Sequence, residues 1–264
     1  MKHLNRTRSI ARHWLTRCAQ LVACVALASC HADNTAPAPA KDSVSPYETM
    51  QSTRDGIGKR YLGRQISHVM GHRGAAWLDR ELREAQERTD LLIENLPLEA
   101  NSVVADIGAG TGYFSFPIAA RVPQGRVLAV DIQPEMLALI EQRRTASGTV
   151  NIETILGTER DTRLPADTID VILIVDAYHE FNFPLEMGQS MAQALKPGGR
   201  LVLIEYREED AAVPIKRLHK MSEAQAKREM AAIGLVWERT ADFLPQQHFM
   251  VFRRPISSDE QQRD

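Results

Sequence analysis

The stretch Val104-Ala-Asp-Ile-Gly-Ala-Gly-Thr-Gly-Tyr-Phe114 decides the reading of this chain. An apolar run fit for a buried strand meets a glycine-rich turn and then a helix start, with the carboxylate of Asp106 near the strand end. Gly108, Gly110 and Gly112 permit positive φ angles and let a ligand lie against bare backbone. A tight strand-to-helix turn in any α/β protein would need such glycines for the first purpose alone, so the triplet by itself leaves both uses open. Asp106 narrows the choice of ligand. A carboxylate two residues before the first glycine repels a pyrophosphate laid over the turn and favours a small ligand that carries positive charge.

From this turn onward strands and helices alternate. Strands are expected over 102–107, 126–131, 151–156, 169–175 and 200–206, with helices over 113–121, 134–145 and 184–195 between them. Pro134 suits a first helical turn and Gly148 a stop; Ser222-x-x-Gln225 starts a further helix that runs to Ile233, with Gly234 as its stop. Ile169 to Val175 is an apolar, largely β-branched run broken only by Asp170, as in a strand buried on both faces. The last strands, 235–239 and 248–253, are joined by too short a link for a crossover helix and should pair antiparallel. Phe243, Phe249 and Phe252 are expected as core aromatics of this hairpin. The implied architecture is a doubly wound, Rossmann-like α/β sheet with helices on both faces and its ligand beyond the carboxyl ends of the strands.

Asp106-Ile-Gly-Ala-Gly-Thr-Gly112 resembles the first motif of the class I S-adenosylmethionine-dependent methyltransferases, and the resemblance extends over residues 98–254, including Lys196-Pro-Gly-Gly199. It implies a seven-stranded sheet, mostly parallel with a C-terminal antiparallel hairpin, and S-adenosyl-L-methionine as the cofactor of a methyltransferase. Asp106, Gly108, Gly110 and Gly112 would then form the cofactor turn. Asp131, at the end of Val127-Leu-Ala-Val-Asp131, would accept the ribose hydroxyls, with Ile132 against the adenine. In the longer loop Gly157-Thr-Glu-Arg-Asp-Thr-Arg-Leu-Pro165, Glu159 and Asp161 compete to accept the adenine amino group, and Asp161 is preferred. Asp176-Ala-Tyr-His-Glu-Phe181 sets several polar groups at a strand end: Asp176 toward the cofactor, and Tyr178, His179 and Glu180 to orient or deprotonate an acceptor, with His179 and Tyr178 the candidate catalytic groups. His179 would serve equally as a wall of the cofactor pocket, and catalysis by proximity alone needs no base.

Lys2, Arg6, Arg8, Arg12 and Arg17 precede an apolar stretch, 18–28, too short to span a bilayer, so residues 1–29 read as a signal peptide. Leu27-Ala-Ser-Cys30 resembles the lipobox of bacterial lipoproteins. It implies a domain lipidated at Cys30 on the periplasmic side of a membrane, with the outer membrane expected because His31 follows the cysteine. That lipid would be the chain's only membrane attachment. Residues 30–50 would be a flexible tether, 51–97 a helical cap built around one helix over 75–96, and 255–264 a disordered tail. His72, Arg73 and Trp77 are candidates for a lid.

All three cysteines fall at or before Cys30, so the processed chain has no thiolate chemistry. Removal of the leader leaves 27 of the 32 basic residues against 34 acidic ones, a net charge of −7 that indicates no nucleic-acid partner. Lys216-Arg-Leu-His-Lys220 reads as a solvated surface that can also meet an anionic acceptor. No metal site is expected, since Gly71 interrupts the helix on which His68 and His72 would share a face and no third ligand accompanies them. The expected protein is a monomer acting on a small-molecule acceptor. A non-catalytic binding module of the same fold is the alternative, followed by a dinucleotide-dependent oxidoreductase, which Asp106 disfavours.

Overall fold

The computed structural model describes residues 45–256. The proposed signal peptide, Cys30, most of the tether and residues 257–264 of the tail lie outside them. Among the described residues no helix is long and apolar enough to cross a membrane.

The main sheet is built from β4 (Val103–Ile107), β5 (Arg126–Asp131), β6 (Ile152–Leu156), β7 (Ile169–Val175), β8 (Leu195–Arg207), β10 (Val236–Ala241) and β11 (Gln247–Arg253) in the order β10-β11-β8-β7-β4-β5-β6. A two-residue strand, β9 (Lys220–Met221), pairs alongside β8. β4 through β8 are mutually parallel, whereas β11 runs antiparallel to both β8 and β10. This is the expected Rossmann-like sheet with its terminal hairpin. The Lys196-Pro-Gly-Gly199 segment, expected before the fifth strand, is taken up within β8, where the register against β7 shifts between Ile169 and Val171.

Helices cover both faces because side chains alternate along every central strand. Ala105, Ile107, Leu128, Val130, Ile172, Ile174, Leu201 and Leu203 face one core, filled by Met187 and Met191 of α6 (Pro184–Ala194) and Met230 of α7 (Glu223–Ala232). Their neighbours Val104, Val127, Ala129, Val171, Leu173, Val202 and Ile204 face the other, filled by Ile118 of α4 (Ser115–Arg121) and Leu137 and Ile140 of α5 (Pro134–Ser147). Phe252 enters the first core and Phe249 the second, with Phe243 packed against it. Ser222 caps α7 through the Gln225 N–H, as the capping-box spacing predicts.

The N-terminal cap departs from the expectation. Residues 45–67 form a three-stranded antiparallel sheet: β1 (Tyr47–Thr49), β2 (Gly56–Tyr61) and β3 (Arg64–Ser67). Leu62 and Gly63, at φ +46° and +92°, make the two-residue turn between β2 and β3, a hairpin geometry that needs positive φ at both positions. β1 lies in the segment expected as flexible tether; the Tyr47 hydroxyl bonds Glu186 of α6 and accepts the Leu185 N–H.

The single helix expected over 75–96 is three short ones, α1 (Ala75–Leu78), α2 (Arg83–Glu87) and α3 (Thr89–Glu94). Arg88 at φ +54° separates the last two, and Leu82, one of the leucines at 78, 82, 92 and 96 whose helical spacing suggests a single apolar stripe, is 63% exposed. Arg83 and Glu87 are buried in its place, joined to each other by an ion pair, with the Arg83 guanidinium over the Tyr113 and Phe114 rings.

A buried ion pair fastens the cap to the main fold. Arg64 of β3 grips the Glu229 carboxylate of α7 with both Nε and Nη2, at 2.7 and 2.8 Å, and its Nη1 donates to the His179 carbonyl at 3.1 Å. Removing one member leaves an uncompensated charge in the interior, so Arg64→Met should lower the unfolding free energy by about 3–5 kcal/mol in urea titrations. Arg64→Met combined with Glu229→Leu should recover most of that loss.

Candidate active site

The sheet order reverses at β4: β5 and β6 follow on one side, β7 and β8 on the other. Beyond the carboxyl ends of β4 and β7 the chain must part, and a crevice results. A cavity of about 510 Å³ occupies this position, within the range of small-molecule sites. Its floor comes from the strand ends, through Gly108, Gly110, Asp131, Ile132 and Asp176. Val69, Met70, Trp77 and Leu78 of the cap line it as well, as do His179, Glu180 and His219.

The turn after β4 curls onto β5, with the Gly108 and Ala109 N–H groups both donating to the Val130 carbonyl. Gly108 and Gly110 adopt φ of +72° and +55°, and a Cβ on Gly108 would stand 2.8 Å from the Ala177 Cβ. These positions require glycine on both counts. Asp131 completes the turn: Oδ2 accepts the Gly110 N–H and Oδ1 the Gln133 N–H, each at 2.9 Å. Each oxygen keeps a further lone pair toward the cavity it lines.

Asp176 follows β7 at φ +47° and also lines the cavity. Its Oδ2 accepts the Gln247 amide at 3.0 Å, while Oδ1 is buried without a partner. Burial, reinforced by the charges of Glu87 and Glu205, pushes its carboxyl well above the usual range. A cationic group of a ligand would satisfy that oxygen and offset that charge.

The far wall is a chain of polar groups. Glu205, fully buried near the end of β8, accepts the His179 main-chain N–H at 3.2 Å and bonds the His179 Nδ1 at 2.6 Å. His179 Nε2 lies 3.0 Å from His219 Nδ1. Burial alone would push the His179 imidazole down, but the Glu205 carboxylate overrides it and the group is raised. His219 is pushed down to about 4, by burial and then by the charge on His179. Glu180 Oε2 accepts the Met70 N–H at 3.0 Å, while its Oε1 lies 3.8 Å from His179 Nε2 and 3.7 Å from His219 Nδ1.

The crevice thus brings together Gly108, Gly110, Asp131, Ile132, Asp176 and His179 among the residues chosen from sequence. Four others sit elsewhere. Asp106 lies beneath the turn, 3% exposed, accepting from Ser115 Oγ at 2.6 Å. Gly112, at φ +78°, packs under the turn toward Phe116 and Ile140. Asp161 turns away to the Arg163 N–H and the Ser190 hydroxyl, so Glu159 is the loop acid that reaches the cavity. Tyr178 points into the core against Phe181 with its ring fully buried, and does not line the cavity as a catalytic group would.

Trp77 lines the cavity, whereas His72 and Arg73 do not; the His72 N–H donates to Gln133 Oε1. His68 bonds the Thr53 carbonyl instead of sharing a ligand face with His72. Lys216, read as solvated surface, lines the cavity and pairs with Asp55 at 2.6 Å. Sequence reasoning missed Glu205 and His219. Glu205 left a signal, a lone charge ending the apolar run Leu201-Val-Leu-Ile; His219 left none.

Residues 104–199 match the family model described as a methyltransferase domain. An uncharacterised methyltransferase-like protein of Schizosaccharomyces pombe is 26% identical over 149 residues, covering 56% of this chain and 56% of its own length. The chain spans about half the length, or less, of the first curated relatives it matches. Among solved structures, a SAM-dependent methyltransferase from Aquifex aeolicus matches with a TM-score of 0.66 at 21% identity, over 70% of this chain and 100% of that one. The cyclase SpnF matches with a TM-score of 0.57 at 15% identity, over 64% and 80%. The chain therefore has the Rossmann-like methyltransferase fold, and the family match together with that fold implies S-adenosyl-L-methionine as cofactor. The residues present fit it: an unpartnered Asp176 oxygen for an ammonium and free Asp131 lone pairs for vicinal hydroxyls.

Asp106 supplies a test of the turn. Burial outweighs the Ser115 hydrogen bond, and Asp131 adds to it, so the carboxyl is pushed up from 3.8 to about 6. A carboxyl raised on folding is held more tightly as the acid, so its stabilisation is present at low pH and lost as pH rises from about 4 to about 6. Relative to Asp106→Asn, the wild-type chain should lose about 3 kcal/mol of unfolding free energy across that window in urea titrations at stepped pH.

Proposed function

We propose that this chain is an S-adenosylmethionine-dependent methyltransferase acting on a small-molecule acceptor. One observation carries the reading: a single cavity joins the glycine turn and Asp131 to the His179 wall, at the switch point of the sheet. When bound, the cofactor supplies a sulfonium methyl that a nucleophilic atom of the acceptor displaces in line, leaving S-adenosylhomocysteine.

Asp131 would hold the ribose hydroxyls, Ile132 and Met136 would pack against the base, and Asp176 would take the ammonium. Glu159 is the loop acid placed to accept from the adenine amino group. His179, its ring fixed by Glu205, would wall the acceptor's side of the cavity together with His219, while Val69, Met70 and Trp77 exclude water. Fixing two reactants in one enclosed space converts a bimolecular step into an effectively unimolecular one, the main source of rate for a transfer that needs little acid-base help. Because a cyclase shares this fold at low identity, the reaction rests on the site and not on the fold. The Lys2 to Cys30 segment supports an exported, lipid-anchored location; the mass of the mature N-terminus decides it, a lipidated Cys30 being expected and an unmodified Met1 refuting it.

Asp131→Ala should weaken S-adenosylhomocysteine binding by at least tenfold, about 1.4 kcal/mol or more, in calorimetric titrations of protein whose far-ultraviolet dichroism is unchanged. Unchanged affinity would remove the ribose assignment. Tight binding of a nicotinamide dinucleotide would replace the reading with a redox one.

A further inference from the structure

We propose that His179, Glu180 and His219 form a binding site for a divalent transition metal, zinc by its ligand chemistry, in the wall of the cavity opposite the glycine turn. His179 Nε2, His219 Nδ1 and Glu180 Oε1 converge on one place, separated by 3.0, 3.8 and 3.7 Å. A point equidistant from the corners of a triangle with those sides lies about 2.0 Å from each, the length of zinc–imidazole and zinc–carboxylate bonds. This is the grouping of three metal-ligating side chains found among the described residues.

Each ligand is also held from behind. Glu205 fixes the His179 ring through Nδ1, the carboxylate–histidine arrangement that orients metal ligands and raises their basicity. The Met70 N–H takes Glu180 Oε2 and leaves Oε1 for the convergence point. Behind His179, Arg64 and Ser67 bond its main-chain carbonyl, so the ligand does not depend on a free loop. His219 is placed by a tight turn in which its N–H donates to the Lys216 carbonyl.

Charge argues in the same direction. Glu205 and Glu180 bring two carboxylates to the His179 imidazole in a largely buried wall, and a dication would offset their charge. Two imidazoles with one carboxylate favour zinc or a neighbouring transition ion over magnesium or calcium, which take oxygen ligands. Three protein ligands leave coordination positions open, and all three line the cavity. An oxygen or sulfur of the acceptor would enter as a further ligand, a clause that rests on the methyl-transfer reading; the metal site itself does not.

The test uses the full chain, dialysed free of metal and titrated with zinc chloride in a calorimeter, with bound metal counted by mass spectrometry after re-dialysis. About one equivalent per chain is expected, together with a raised melting temperature and visible d–d absorption when cobalt replaces zinc. His219→Ala combined with Glu180→Gln should abolish retention in protein that still melts cooperatively. Glu205→Gln, which keeps all three ligands, should weaken zinc by about 10–100-fold without changing the stoichiometry. No retained zinc in the wild-type chain, or equal retention in the double variant, would overturn the site. Titration with S-adenosylhomocysteine reports separately on the cofactor reading, so the two can fail independently.

Discussion

The site depends on how β4 satisfies its two edges. β5 pairs along one and β7 along the other, both parallel, so the chain leaving β4 must cross to one side and later return on the opposite side. Two connections diverging from adjacent strand ends cannot fill the space between them. The glycine turn follows β4 on one wall of that gap and Asp176 follows β7 on the other. The cavity is thus a topological necessity that the cap and the loops after β7 and β8 then shape.

Charge inside this fold is handled by pairing and not by exclusion. Arg64 meets Glu229 bidentately, Arg83 meets Glu87, and Tyr206 donates to the same Glu87 at 2.8 Å. Among the carboxylates that line the cavity, Asp176 keeps its Oδ1 buried without a partner. A buried oxygen without a partner is costly. Its retention beside a ligand-sized space marks the place where the molecule is completed by something it binds.

What sequence could reveal divides along the range of the interaction. The parity of apolar residues in β4, β5, β7 and β8 is local, and those strands were legible within about a residue at most of their ends. The glycine turn and Asp131 are local too, and both fall where the pattern placed them. The hairpin at Leu62 and Gly63 was obscured because two of the six residues of β2 are glycines and its alternation of burial breaks at Lys59 and Arg60. The helix over 75–96 failed because a leucine repeat spans a turn that buried charges, not leucines, hold in place. Glu205 and His219 meet His179 only through the folding of the sheet, across sequence separations that no periodicity records. Asp161 and Glu159 differ only in which one a tight loop turns outward, a matter of φ and ψ that composition does not carry.

The cap residue Met70 joins two cavity-lining side chains through its main-chain groups. Its N–H holds Glu180, and its carbonyl accepts from Gln133, whose own N–H is fixed by Asp131. A ligand that shifts either end shifts this peptide segment, and with it the other end. Any coupling that this segment carries between occupants of the two sides is reciprocal: whatever factor the first ligand imposes on the affinity of the second, the second imposes on the first.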